Sequence, residues 1–433
     1  MEATVEYSPP PVVDYTDIYE AIMQFNKNKT AFIHQWYPFV EGYSREFIES
    51  IINELDYEPT HVLDPFAGSG TTPVELQAMG IKCSSFEVSP FMHLLASTKL
   101  NTQYHLSSFE RELTRMSGFL RGALLPIRQY MSPPLAKTFQ PRKGLKKWVF
   151  DQGVMNGILD VKYTISCTDD AKYRSLFNVA LASILLDVSN VYRNGKCLSY
   201  KKKWQETKMS RREVHERFLA KLEKMKDDIA QIEKSEYLVQ NRFDCHYGDV
   251  RSSIDVLAED SIDLVITSPP YLNSRDYTDI YMAELWMLGL VSSYEDIRAL
   301  RRRTLRSHVQ VKLGEVETPE VSKLQESLRA LDAVDADLWN EDIPNMIKAY
   351  FLDMDLLFKK MKAKMAPSKK VFFNVANSAY YGVKVDVDEI VSEIADQHGF
   401  HVEEIREARK LEPSSQQKKQ VGKLRESVIV MTS

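Results

Sequence analysis

Glycine is scarce in this chain, 16 among 433 residues, so the one place where two fall within three positions constrains the fold more than any other feature. Gly68 and Gly70 lie in LDPFAGSGTT, after the β run HVLDPF and before TTPVELQAMG, which opens a helix that Gly80 ends. Upstream, SREFIESIINEL has helical apolar spacing; downstream, KCSSFEV forms a second strand ending at Glu87. Strand and helix alternating at this short spacing predict a parallel sheet with crossover helices. A glycine turn lets the backbone approach a ligand closely, and the carboxyl end of the first strand is where a doubly wound sheet takes a nucleoside cofactor. No Lys follows the glycines as a Walker loop requires, and GxGxxG is absent, which weakens the phosphate and dinucleotide readings. Glu87, one strand on, is placed to take both hydroxyls of a ribose through its two oxygens.

The alternation breaks twice. Residues 105–242 read mostly as charged amphipathic helices, including MSRREVHERFLAKLEKMKDDIAQIEK (209–234), whose alternating charges suit a solvated or coiled helix. Sheet-like runs return as FDCHYGD and SIDLVITSPPY, followed by helix-like DIYMAELWMLGLV. Residues 291–343 are again charged and irregular, and the remainder restores helix, strand, helix and two final strands, HVEEIREARK and ESVIVMTS. The expected fold is therefore α/β: a doubly wound, mostly parallel seven-stranded sheet, Rossmann-like, in three parts (1–104, 243–290 and 344–433). A large helical insert (105–242) and a second insert (291–343) interrupt it, and EPSSQQKKQVGK (412–423) reads as a mobile loop. With 44% hydrophobic residues the chain can bury a sizeable core.

Four dispersed cysteines without a CxxC pair argue against a zinc knuckle and for free thiols in a reducing cytosol, and no metal site is visible. The most apolar stretch, LFNVALASILL, is too short to span a bilayer, and MEATVEYSPPP lacks the features of a signal peptide, so a soluble cytoplasmic protein is expected. Lys+Arg 56 against Asp+Glu 61 gives −5, so a polyanion must be met by a local basic patch.

Ser-Pro-Pro occurs three times, at 8–10, 132–134 and 268–270, and only the third follows a β run and precedes an aromatic residue. Two prolines fix φ and remove two N–H donors, so Ser268, Pro269 and Pro270 leave the strand end as a rigid arc with carbonyls left over as acceptors. Such an arc holds an exocyclic amino group by accepting its hydrogens, while the Tyr271 ring stacks on the base. The first two copies read as surface turns.

LDPFAGSGTT together with TSPPY resembles the amino-methylating, S-adenosylmethionine-dependent DNA methyltransferases, and the Ser-Pro-Pro-Tyr form is most similar to their cytosine-N4 branch. The resemblance implies a class I methyltransferase fold with S-adenosylmethionine as cofactor. It implies that Asp64, Phe66, Ala67, Gly68, Gly70 and Thr71 lie along the cofactor, that Glu87 binds its ribose and that Asp249 meets its adenine. Ser268, Pro269, Pro270 and Tyr271 then form the target-base pocket. The segment HQWYPFVEGYSREFI resembles the motif that closes over the methionine part, which adds Tyr37, Pro38, Phe39 and Ser44. Double-stranded DNA is the implied polymer, with RNA as the alternative and a cognate restriction endonuclease as an implied companion. Adenine-N6 transfer through the same site competes with the cytosine reading, and a nucleic-acid-binding protein on a degenerate methylase fold is the rival from another class.

Methyl transfer from a sulfonium to an aromatic amine needs positioning but neither a metal nor a covalent nucleophile. Carbon-5 methylation would need an activated cysteine, and none lies where TSPPY sits. A base in a duplex must flip to reach the cofactor. Basic and aromatic residues mix in PRKGLKKW (141–148) and YRNGKCLSYKKKW (192–204), and RALRRRTLRSH (298–308) is strongly basic. From these, Lys201, Lys202, Lys203, Arg301, Arg302 and Arg303 are the candidate phosphate contacts.

Overall fold

A computed structural model of the chain describes residues 7–124, 126, 131–194, 197–206, 208–235, 243–273, 276–334, 340–413 and 420–433. Twelve strands are assigned among these: β1 (Val12–Asp14), β2 (His61–Asp64), β3 (Lys82–Glu87), β4 (Val191–Arg193), β5 (Leu198–Tyr200), β6 (Phe243–Tyr247), β7 (Ile262–Thr267), β8 (Met365–Ala376), β9 (Ser378–Tyr380), β10 (Val383–Val385), β11 (His401–Leu411) and β12 (Leu424–Thr432). Eight of them form one sheet in the order β1-β11-β12-β8-β7-β2-β3-β6. Neighbours pair in parallel except β12, which runs antiparallel to both β8 and β11. All seven expected strands are present, in the reversing order of a class I methyltransferase. The eighth, β1, adds a short edge beside β11 that the proline-rich start gave no sign of.

Successive residues of the central strands face opposite layers, as the period of two requires. Val62, Leu264, Ile266, Phe372 and Val428 point into a cluster with Phe47, Ile48 and Ile51 of the helix Arg45–Glu54. Their neighbours Leu63, Val265, Val371, Phe373 and Ile429 point into the other cluster, against Tyr350, Met354 and Phe358 of the helix Ile343–Lys364.

The described residues of 105–242 hold the helices Leu106–Arg121, Gln152–Ser166, Ala171–Val188 and Arg211–Lys234 and the small hairpin β4–β5. Arg211–Lys234 is not a solvated helix. A Ser210/Glu213 capping box starts it, and Val214, Phe218, Leu222, Met225, Ile229 and Ile232 bury one face. That core continues into Phe91 and Leu95 of the helix Pro90–Leu100 and into Trp36 and Phe39, so insert and sheet domain share apolar packing. Asp228 seals the junction by accepting from the Trp36 indole N–H (2.7 Å) and the Ile33 amide (3.0 Å). The second insert is more regular than expected. Its helices Tyr294–Arg303 and Ser322–Asp332 are amphipathic, and the latter buries Leu324, Leu328 and Leu331 against the sheet's helical layer. Residues 414–419 of the expected loop lie outside the described residues; Val421 and Leu424 after them are buried.

Candidate active site

The carboxyl ends of β2, β3, β6 and β7 open onto one cavity of about 340 Å³. After Asp64 the chain turns through Gly68, at φ +51°, and Gly70, at φ +83°. The Gly68 amide donates to Glu87 Oε2 (2.9 Å) and the Ser89 amide to Oε1 (2.7 Å), so both oxygens of Glu87 are aimed by the backbone and keep lone pairs for hydroxyl donors. Burial pushes this carboxyl from its ordinary 4.5 up to about 7. Asp64 accepts from the Phe66 amide (3.1 Å) and the Thr267 hydroxyl (2.7 Å), and burial raises it from 3.8 to about 6. Behind the loop, Lys99 donates to the Ser69 carbonyl (3.0 Å) although it is only 1% exposed, and burial lowers it to about 7.

Phe39, Asp64, Phe66, Ala67, Gly68, Thr71, Glu87 and Asp249 all line the cavity, as do Ser268, Pro269, Pro270 and Tyr271 from the end of β7. The glycine loop and the proline arc, 200 residues apart in sequence, thus share one chamber. Asp249 caps the short turn after β6 and grips the Arg251 guanidinium at 2.9 and 2.7 Å. Phe39 folds over the loop: a Cβ on Gly68 would meet its ring at 3.6 Å.

Several expected residues belong elsewhere. Gly70 does not face the cavity. A Cβ there would fall 3.0 Å from Ala96 Cβ and 3.1 Å from Ala96 Cα, so this glycine lets the helix Thr71–Ala78 pack on Pro90–Leu100. Tyr37 is buried behind the wall, donating to Glu284 (2.8 Å) and accepting from Arg193 (2.6 Å). Pro38 is exposed, and Ser44 is buried at the start of the helix Arg45–Glu54.

The basic residues divide in the same way. Lys201 spends its ammonium on the carbonyls of Leu186 (2.8 Å), Asp187 (3.1 Å) and Ser189 (2.7 Å), closing the end of the helix Ala171–Val188. Arg301 is held by Asp276 and by Asp279 (2.7 Å), and Arg302 pairs with Glu295 (3.0 Å). Arg303 lines the cavity, its guanidinium 5.2 Å from the Tyr247 ring. Lys202 and Lys203 are exposed, the latter 3.5 Å from Glu206. Packing of Trp148 on Trp204 (5.0 Å) and of Lys147 over Tyr200 (5.3 Å) brings the two basic and aromatic stretches together.

Residues the sequence did not single out complete the chamber: Tyr43, whose hydroxyl meets Thr72 (2.5 Å), Tyr281, and Asn374, Arg409 and Glu426 from β8, β11 and β12. Each is one polar residue in an ordinary strand or loop, so no spacing marks it.

No protein-family model matches the chain. It is 25% identical over 473 residues to the Type II methyltransferase M.BsoBI of Geobacillus stearothermophilus, covering 97% of this chain and 89% of that protein. It is 27% identical to the Type II methyltransferase M.AvaI of Nostoc sp., over 89% of this chain and 82% of that protein. The Type II methyltransferase M.MvaI of Kocuria varians is 22% identical, over 87% and 84%. The chain is a methyltransferase. Among solved structures, the rRNA methyltransferase aviRa of Streptomyces viridochromogenes aligns with 90% of this chain at 11% identity, but its TM-score of 0.26 is too low to bear on the fold.

The methyl donor of this methyltransferase is S-adenosylmethionine, which supplies an activated methyl on sulfonium. The residues fit it: the two backbone-aimed oxygens of Glu87 suit ribose hydroxyls, Asp249 offers a carboxylate beyond them, and Phe39 and Phe66 give apolar wall. Among the described residues no helix is long and apolar enough to cross a membrane.

Proposed function

We propose that this methyltransferase transfers a methyl group to the exocyclic N4 amino group of a flipped cytosine in double-stranded DNA, and that it shields a target sequence from a cognate restriction endonuclease. The observation that carries this reading is the Ser268-Pro269-Pro270-Tyr271 arc in the same chamber as Glu87 and the glycine loop. Proline carbonyls and the Ser268 hydroxyl supply acceptors for an amino group where positive charge develops on nitrogen. Serine at the first position of the arc favours cytosine-N4 over adenine-N6. Glu87, Gly68, Phe66 and Asp249 hold the donor; Tyr271 and Tyr277 border the base. The exposed Arg142, Lys143, Lys146, Lys147, Lys202 and Lys203, beside the Trp148–Trp204 pair, form the phosphate-contacting face, which gives the helical insert the task of docking the duplex.

The test is incubation with radiolabelled S-adenosylmethionine and either duplex DNA or structured RNA, then mass identification of the methylated nucleoside. N4-methylcytosine from DNA is the expected product. N6-methyladenine, 5-methylcytosine or a product only from RNA would overturn the reading.

A further inference from the structure

The floor of the base pocket is a closed hydrogen-bond network that no motif contains. Glu426, 2% exposed, accepts the Tyr271 hydroxyl proton at 2.5 Å, and its other oxygen is held by Arg409. The Asn374 amide donates to Tyr271 (2.6 Å) and to Ser268 Oγ (3.2 Å), and Ser268 Oγ donates to the Tyr271 oxygen at 3.4 Å. A carboxylate can only accept, and an amide nitrogen can only donate. Glu426 therefore compels Tyr271 to point its proton away from Ser268, and the Asn374 nitrogen offers Ser268 no acceptor. The Tyr271 oxygen is the acceptor that the Ser268 hydroxyl meets. One Ser268 lone pair takes the Asn374 hydrogen, and the other is left for an incoming amino N–H.

We propose that Glu426, with Asn374, is a positioning residue that fixes Ser268 as an acceptor and drains the proton released in methylation along Ser268, Tyr271 and Glu426. This rests on the arc being the amine-binding site. The amine nitrogen forms the N–CH₃ bond as the sulfonium C–S bond breaks and leaves its electron pair on sulfur. The nitrogen then releases one proton to Ser268 Oγ, the Ser268 proton moves to the Tyr271 oxygen, and the Tyr271 proton moves to Glu426 Oε1. The carboxylate ends neutral, and Arg409, about a quarter exposed, adjoins solvent for its later deprotonation. The 3.4 Å step is long for O–H···O, and such contacts tighten when the reacting group enters.

The test compares the parent with Glu426→Gln and Tyr271→Phe, each first checked by thermal melting and by calorimetric affinity for S-adenosylmethionine. The expected result is unchanged cofactor affinity, a single-turnover methylation rate lower by roughly a hundred-fold, and a solvent deuterium isotope effect that is present in the parent and lost in both variants. In the cofactor-free protein, proton NMR should show a strongly downfield Tyr271 hydroxyl resonance that vanishes in Tyr271→Phe and moves upfield in Glu426→Gln. Parent rates in both variants, or no such resonance in the parent, would overturn the network. N6-methyladenine as product would instead overturn only the choice of base, because any exocyclic amine must lose this proton, whereas 5-methylcytosine would overturn the arc as the amine-binding site and the network with it. The NMR readout does not depend on turnover.

Discussion

Replacing Gly70 by alanine should destabilise the fold without touching the cofactor, although Gly70 lies in the segment most suggestive of a ligand. Its φ of +83° costs a side chain about 1–2 kcal/mol in the left-handed region. The new methyl would also sit 3.0 Å from Ala96 Cβ and 3.1 Å from its Cα, and the backbone cannot swing aside as a flexible side chain would. Such overpacking costs about 1–3 kcal/mol, so the loss should total about 2–5 kcal/mol. Gly68→Ala is the control: its φ is +51° and its methyl meets Phe39 at an ordinary 3.6 Å, so only the backbone cost of about 1–2 kcal/mol applies. Urea unfolding followed by circular dichroism should place the Gly70→Ala midpoint below that of Gly68→Ala. Calorimetry should show the opposite order for cofactor, because Gly68 lines the cavity and its amide aims Glu87. A Gly70→Ala protein with the parent midpoint, or one that alone loses cofactor binding, would refute the helix-contact assignment.

Further outcomes are expected at the site and at the basic face. Glu87 and Asp64 bind protons more tightly folded than unfolded, so their burial withdraws stability as pH rises from about 4 to about 7, and Glu87→Gln should flatten that part of the melting profile. Ribose hydroxyls donate to the ionised form, so cofactor affinity measured by calorimetry should rise through about pH 7 in the parent and stay level in Glu87→Gln. Ser268→Ala should keep cofactor affinity while lowering single-turnover methylation by roughly a hundred- to a thousand-fold. Charge reversal at Lys202 and Lys203 should weaken DNA binding and shallow its salt slope in fluorescence anisotropy, whereas Lys201→Ala should lower the melting temperature and leave the slope unchanged.

The alternation of strand and helix, the paired glycines and the Ser-Pro-Pro after a β run are local patterns, and they sufficed to assign the seven principal strands and the two halves of the chamber. Local pattern could not say which side of a loop a residue faces. Gly68 and Gly70 are equivalent in sequence, yet one borders the cavity and the other a helix, a difference set by where Pro90–Leu100 packs. Nor could it tell a free cation from a used one. Lys201 and Arg301 stand in basic runs, but their charges are spent on helix carbonyls and on Asp276 and Asp279, groups that only folding brings near. Tyr271 reads as a ring to stack on a base; its hydroxyl acquires a second role only because β12 returns antiparallel beside β8 and sets Glu426 and Asn374 against it. A motif records the chemistry its own residues carry, whereas burial, hydrogen-bond direction and the pairing of charges are fixed by neighbours distant in the chain.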